Sequence, residues 1–130
     1  QSMRKLFITL IILLLCHNSL MAHVESIDVL ELQRKLESST ETIFLLDVRS
    51  KQEYQSGHIK NSINIPHDVL IKDINLIGEY RNEPLVVYCR SGVRAQLVID
   101  KLLDNDFNHI IDINGDMLAW IESDLPIEKD

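Results

Sequence analysis

Two stretches leave the fold little freedom: Thr42 to Val48, TIFLLDV, and Pro84 to Cys89, PLVVYC, are almost unbroken apolar runs. A strand with one wet face alternates apolar and polar residues, whereas a short continuous run suits a strand buried on both faces. Such strands need a covering layer on each side, and the segments between them have the spacing to supply it. Asp28 to Glu37, DVLELQRKLE, sets Val29, Leu32 and Leu36 at helical intervals behind Asp28, a residue suited to capping the first turn. KQEYQSG reads as a short helix closed by Gly57, SINIP as a short strand stopped by Pro66, and HDVLIKDINLI as a helix. RAQLVIDKLLDND reads as a longer helix and HIIDI as a final strand. MLAWIESD closes the chain as a helix, with Asp116 placed to cap its first turn. Strands alternating with helices predict an α/β domain with a mainly parallel sheet.

A length of 130 residues suits one domain with a real core and is short for two. The formal net charge of -7 argues against nucleic acid or an anionic membrane as the main partner. The N-terminus stands apart. Gln1 and Ser2 before Met3 read as a vector remnant, and Arg4 and Lys5 precede the apolar run Leu6 to Leu15, with SLMA ending at Ala22. That order is the pattern of a secretory signal, and a run of ten residues falls well short of the roughly 20 a spanning helix needs. Residues 1–22 are therefore expected to be remnant plus signal and 23–130 the mature domain, periplasmic or secreted after cleavage near Ala22; the alternative is an uncleaved anchor. Cleavage removes two of the 13 basic residues, leaving 11 against 20 acidic ones, and removes Cys16. Cys89 is then the lone thiol, so an internal disulfide is not the reason for it.

The stretch VVYCRSGVR, Val86 to Arg94, holds the chemistry. It places Cys89 where a buried strand ends and a helix begins, and in parallel sheets ligands bind beyond the carboxyl ends of the strands. Backbone N–H groups at a helix start have no partners within the helix and favour an anion, here a thiolate. Arg90 and Arg94 add two fixed cations whose donor forks suit a tetrahedral oxyanion or sulfonyl group. Gly92 lets the backbone turn inward, and Ser91 can donate a further hydrogen bond. In such a field no general base is needed. The simpler reading of Cys89 is a buried, inert cysteine in an ordinary strand-to-helix turn.

The chain resembles the single-domain rhodaneses, the thiosulfate sulfurtransferase family, from about Val24 to Glu128. LLDVRSKQEYQSGHIKNSINIP is similar to the family's succession of Asp-Val-Arg, Glu-Tyr, Gly-His-Ile and Asn-Ile-Pro, and GDMLAW followed by LPIE resembles its closing segment. Asn61 and Ser62 stand where Gly-Ala is usual, and Asp116 where a second glycine is usual; both sites are remote from Cys89 in sequence. The resemblance implies a five-stranded parallel sheet flanked by helices on both faces, and a Cys89 that cycles between thiolate and persulfide. It implies a small anionic sulfur donor, a thiol or cyanide acceptor, no cofactor and no metal. Arg90 and Arg94 would hold the donor's anionic end, while the N–H groups of Arg90, Ser91, Gly92, Val93 and Arg94 cradle the persulfide. A monomer without nucleic acid or membrane partners is expected.

Two other functions compete with this one. Cysteine-dependent phosphatases resemble C-x5-R, whereas this loop has four residues between Cys89 and Arg94, which is tight for a phosphoryl group. A non-catalytic rhodanese-like binding module commonly lacks the cysteine, which this chain keeps. Elsewhere the structural readings prevail: Arg49 and Glu53, four apart, are expected to pair. His58 reads as a hydrogen-bonded structural histidine and Trp120 as core. His23, His67 and His109 show no metal-ligand spacing with one another or with Cys89.

Overall fold

Leu85–Tyr88 and Phe44–Asp47 lie side by side at the centre of a five-stranded, all-parallel sheet. The computed structural model describes residues 22–38 and 40–130. The expected signal run, with Arg4, Lys5 and Cys16, lies outside the described residues. In chain order the elements are β1 (His23–Ile27), α1 (Val29–Ser38), β2 (Phe44–Asp47), α2 (Lys51–Ser56), β3 (Ile63–Asn64) and α3 (His67–Lys72). A 3-10 helix (Ile74–Tyr80), β4 (Leu85–Tyr88), α4 (Val93–Leu103), β5 (His109–Ile113) and α5 (Asp116–Glu122) follow. The strand order is β1-β5-β4-β2-β3.

The period of two along each strand divides the core in two. Leu46, Leu85, Val87 and Cys89 face Leu70, Ile74, Val98, Ile99 and Leu102, beneath α3, the 3-10 helix and α4. Leu45, Val86 and Tyr88 face Leu32, Met117 and Trp120, beneath α1 and α5. Cys89 thus continues the α4 face of β4 by one residue. Trp120 is core as expected, with its indole N–H donating to the Pro126 carbonyl at 2.9 Å.

The helices follow their local chemistry. Asp28 Oδ1 accepts the Glu31 N–H at 2.8 Å, the cap expected for α1. Ser50 and Glu53 form a reciprocal capping box on α2, a signal present in the sequence as Ser-x-x-Glu, and Gly57 closes the helix. Two readings need correction, and one strand was not anticipated. The stretch from His67 is not one helix: it breaks at Asp73 (φ -146°, ψ 82°) into α3 and the 3-10 helix. HVESI is a strand, paired with β5 from His23 opposite His109 to Ile27 opposite Ile113. It sits at the sheet edge with only Ile27 buried, so it shows no apolar run. Asp116 does not cap its own helix; its carboxylate turns to the β4 loop.

Candidate active site

The site is built where β4 ends. Cys89 follows Tyr88 directly, the chain turns through Arg90, Ser91 and Gly92, and α4 begins at Val93. Gly92 holds φ at 113°, a left-handed conformation that residues with a side chain rarely adopt, and a Cβ there would stand 3.3 Å from Asp116 Oδ1. This turn brings the Gly92 N–H to within 3.0 Å of Cys89 Sγ. The first bond of α4 at this end runs from the Gln96 N–H to the Gly92 carbonyl. The N–H groups of Val93, Arg94 and Ala95 have no carbonyl one turn earlier in the helix and are presented at the end where the sulfur lies. Cys89 itself is 1% exposed. Arg90 and Ser91 are exposed, and Val93, 72% exposed, contributes backbone while its side chain projects into solvent.

The two arginines differ. Arg90 lies open on the loop. Arg94 grips Glu53 of α2 through two bonds, Nη1 to Oε1 at 2.6 Å and Nη2 to Oε2 at 3.0 Å. The Arg94 guanidinium holds the Glu53 carboxyl down at about 2, against partial burial that acts the other way. The expected Arg49–Glu53 pair is therefore not formed. Arg49 instead donates to Asp47, with Nη2 2.7 Å from Oδ2, and to the Gly57 carbonyl at 2.7 Å. That pair ties the end of β2 to the end of α2, which leaves Glu53 to meet α4. A cleft of about 380 Å³ opens beside Arg94, with Ser50, Lys51, His67 and Asp68 in its walls. A hollow of about 400 Å³ on the α1 side, walled by Leu36, Ile43 and Trp120 among others, contains no residue of the loop.

Asp116 is remote in sequence and adjacent in space. Its Oδ2 accepts the Cys89 N–H at 2.9 Å. Burial pushes the Asp116 carboxyl up to about 6; the Cys89 N–H acts against this shift and Asp112 adds to it. Met117 and Leu118 N–H donate to the carbonyls of Cys89 and Arg90, both at 3.1 Å. The start of α5 thus grips the loop from the far face of the sheet. Asp116 adopts φ 50°, a conformation Asp tolerates better than most residues. In the sequence it stands out only as a capping candidate and by its place where glycine is usual.

His58 is structural, as expected. Its Nδ1 lies 2.8 Å from the Tyr54 carbonyl and its ring stacks on Tyr54 at 3.7 Å. Among the described residues, no group of three or more His, Cys, Asp and Glu side chains is placed to hold a metal ion.

The family model for the rhodanese-like domain matches residues 28–123. A protein named sulfurtransferase from Allochromatium vinosum is 29% identical over 104 residues, covering 80% of this chain and 94% of its own. A tRNA uridine(34) hydroxylase from Citrobacter koseri is 30% identical over 90 residues, which are 63% of this chain but only 26% of that protein. The crystal structure of a rhodanese-related protein from Thermoplasma volcanium superposes with a TM-score of 0.71 at 29% identity, covering 82% of this chain and 99% of that one.

Proposed function

Because this chain belongs to the rhodanese-like domain family, we propose that it is a sulfurtransferase that carries a sulfane sulfur from thiosulfate or a similar anionic donor on Cys89. The observation that carries the reading is the Gly92 N–H on Cys89 Sγ at 3.0 Å, at the start of α4. The Cys89 thiolate attacks the donor's outer sulfur; a new S–S bond forms, the donor's own S–S bond breaks, and its electron pair leaves with sulfite. A thiolate or cyanide then attacks the outer sulfur of the persulfide and returns the Cys89 thiolate.

The burial of Cys89 favours a donor whose transferable atom projects from the rest of the molecule, as the outer sulfur of thiosulfate does. Arg90 and the loop N–H groups of Ser91, Gly92, Val93 and Arg94 receive the anion. The Arg94 side chain, committed to Glu53, serves mainly to set the rim of the loop. The A. vinosum relative named sulfurtransferase supports the reaction class. The hydroxylases share only this unit, and the net charge of -7 speaks against a nucleic-acid partner. We propose that the protein acts in the periplasm or outside the cell, on the strength of the N-terminal apolar run behind Arg4 and Lys5.

Intact mass spectrometry after thiosulfate treatment tests the reaction. The parent chain should gain the mass of one sulfur atom and lose it to cyanide, and Cys89→Ser should gain nothing while keeping its melting temperature. A parent whose mass is unchanged would make the domain a binding module. An aryl phosphatase rate above the sulfur-transfer rate would return it to the phosphatases.

A further inference from the structure

We infer that the cleft beside Arg94 takes the zwitterionic end of a short peptide thiol that accepts the sulfur, an assignment that rests on Cys89 being the sulfur carrier. The cleft holds about 380 Å³ and carries both signs of charge in its walls, Lys51 at the start of α2 and Asp68 in the first turn of α3. Small-molecule sites usually hold about 300–1,000 Å³, and this cleft falls in that range.

The backbone sets the distance from the cleft to the sulfur. The Val48 N–H donates to the Tyr88 carbonyl at 3.0 Å, and the His67 N–H donates to the Val48 carbonyl at 2.9 Å. The ends of β4 and β2 and the start of α3 therefore lie in a row. Two steps at the usual strand spacing put the chain at His67 roughly 10 Å from the chain at Cys89. Thiosulfate cannot occupy both places, because its anionic oxygens lie two bonds from its outer sulfur. Free cysteine is also too short. A cysteine extended by one or two residues, at about 3.5 Å each, covers the distance.

The charges decide what the far end carries. Arg94 is matched by Glu53 through two bonds, so that pair adds little net charge. Lys51 and Asp68 are exposed, and among the described residues neither forms an ion pair. Opposite charges that share a cleft without closing on each other match a ligand end that itself carries both. A carboxylate suits Lys51, with the half-buried His67 ring as a further hydrogen-bonding group, and an ammonium suits Asp68. A free α-amino acid end has both groups. Val69, 48% exposed, adds apolar surface for the chain that joins this end to the thiol.

With that end held, the acceptor attacks as its thiolate at the outer sulfur of the Cys89 persulfide. A new S–S bond forms to the acceptor, the bond between Cys89 and the transferred sulfur breaks, and its electron pair stays on Cys89 as the thiolate. Cyanide has no charged end beyond its reacting atoms and gains nothing from the cleft.

The test loads the full chain with thiosulfate, removes the donor and follows loss of the extra sulfur by intact mass spectrometry, with Cys89→Ser as the baseline for Cys16. Two thiols are compared at equal thiolate concentration: glutathione, a peptide thiol with a free amino-acid end, and 2-mercaptoethanol, which has no charged end. Glutathione should unload the protein faster and with saturation. Lys51→Gln and Asp68→Asn should each lower its rate relative to that of 2-mercaptoethanol by about two- to fivefold, the scale of an exposed ion pair. Equal rates for the two thiols in the parent, or a ratio that neither substitution changes, overturns the cleft assignment while sulfur loading stands. A second measurement needs no loading: S-methylglutathione, which has no thiol to react, should shift the backbone amide NMR signals of Lys51, His67 and Asp68. Signals that move in a chain that gains no sulfur would retain the ligand site and remove the sulfurtransferase reading. Signals that stay still overturn the site itself.

Discussion

Asp116 should leave its mark on stability. Its carboxyl titrates at about 6 in the fold, mainly through burial, against an ordinary value of 3.8. A carboxylic acid whose folded value is raised binds its proton more tightly in the native state, so stability is greatest below the ordinary value and declines as pH rises through the folded one. Asp116→Asn is therefore expected to be more stable than the parent at pH 8 by about 1–3 kcal/mol, with the gap closing near pH 4. Urea denaturation at the two pH values measures it, and a gap that widens in acid would contradict the assignment. This residue also marks the limit of reading the chain by eye. Cys89, Gly92 and the start of α4 are neighbours in sequence, so their turn chemistry was visible there. The bonds from Cys89 to Asp116 and from Arg94 to Glu53 span 27 and 41 residues and exist only because α5 and α2 fold back to the carboxyl end of the sheet.

Among the elements, β4 links the loop to the segment that follows α2. The Tyr88 hydroxyl accepts the Ile59 N–H at 3.2 Å and donates to Ser62 Oγ at 3.1 Å, while Ser62 Oγ donates to the Ile59 carbonyl at 2.7 Å. The ring is fully buried, and burial raises the phenol so that it stays protonated as a donor. Tyr88→Phe should therefore strand a buried N–H and cost about 1–3 kcal/mol in urea unfolding, with sulfur acquisition by Cys89 retained. A loss of sulfur transfer without a loss of stability would mean that Tyr88 serves the loop directly. Ser62, which stands where alanine is usual in the family resemblance, here becomes a partner in this network. β2 and β4 were legible as runs buried on both faces, β5 as a short apolar run and β3 by its stop at Pro66. Edge strand β1 was not, because its exposed side chains need not be apolar, and the break at Asp73 was hidden because apolar spacing continues across it.

For the molecule as a whole, the sheet decides where a cut can fall. β1 pairs with β5 from His23 onward, and the His23 N–H donates to the Asn108 carbonyl at 3.0 Å, so the domain needs the chain from that residue. Ile27 reaches the core beneath α1, and an intact β1 carries it there. Signal cleavage after Ala22 would release a chain beginning with the first residue of β1, with Ala22 and His23 both exposed. None of the described helices is long and apolar enough to cross a membrane. On the proposed export, N-terminal sequencing of the natural protein is expected to read His-Val-Glu-Ser. A chain beginning at His23 should also unfold at the same urea concentration as the full chain, whereas one beginning at Asp28 should lose stability together with the β5 edge. A natural protein that starts at Met3 in a cytosolic fraction would overturn the export and return Cys16 to the mature molecule as a second thiol.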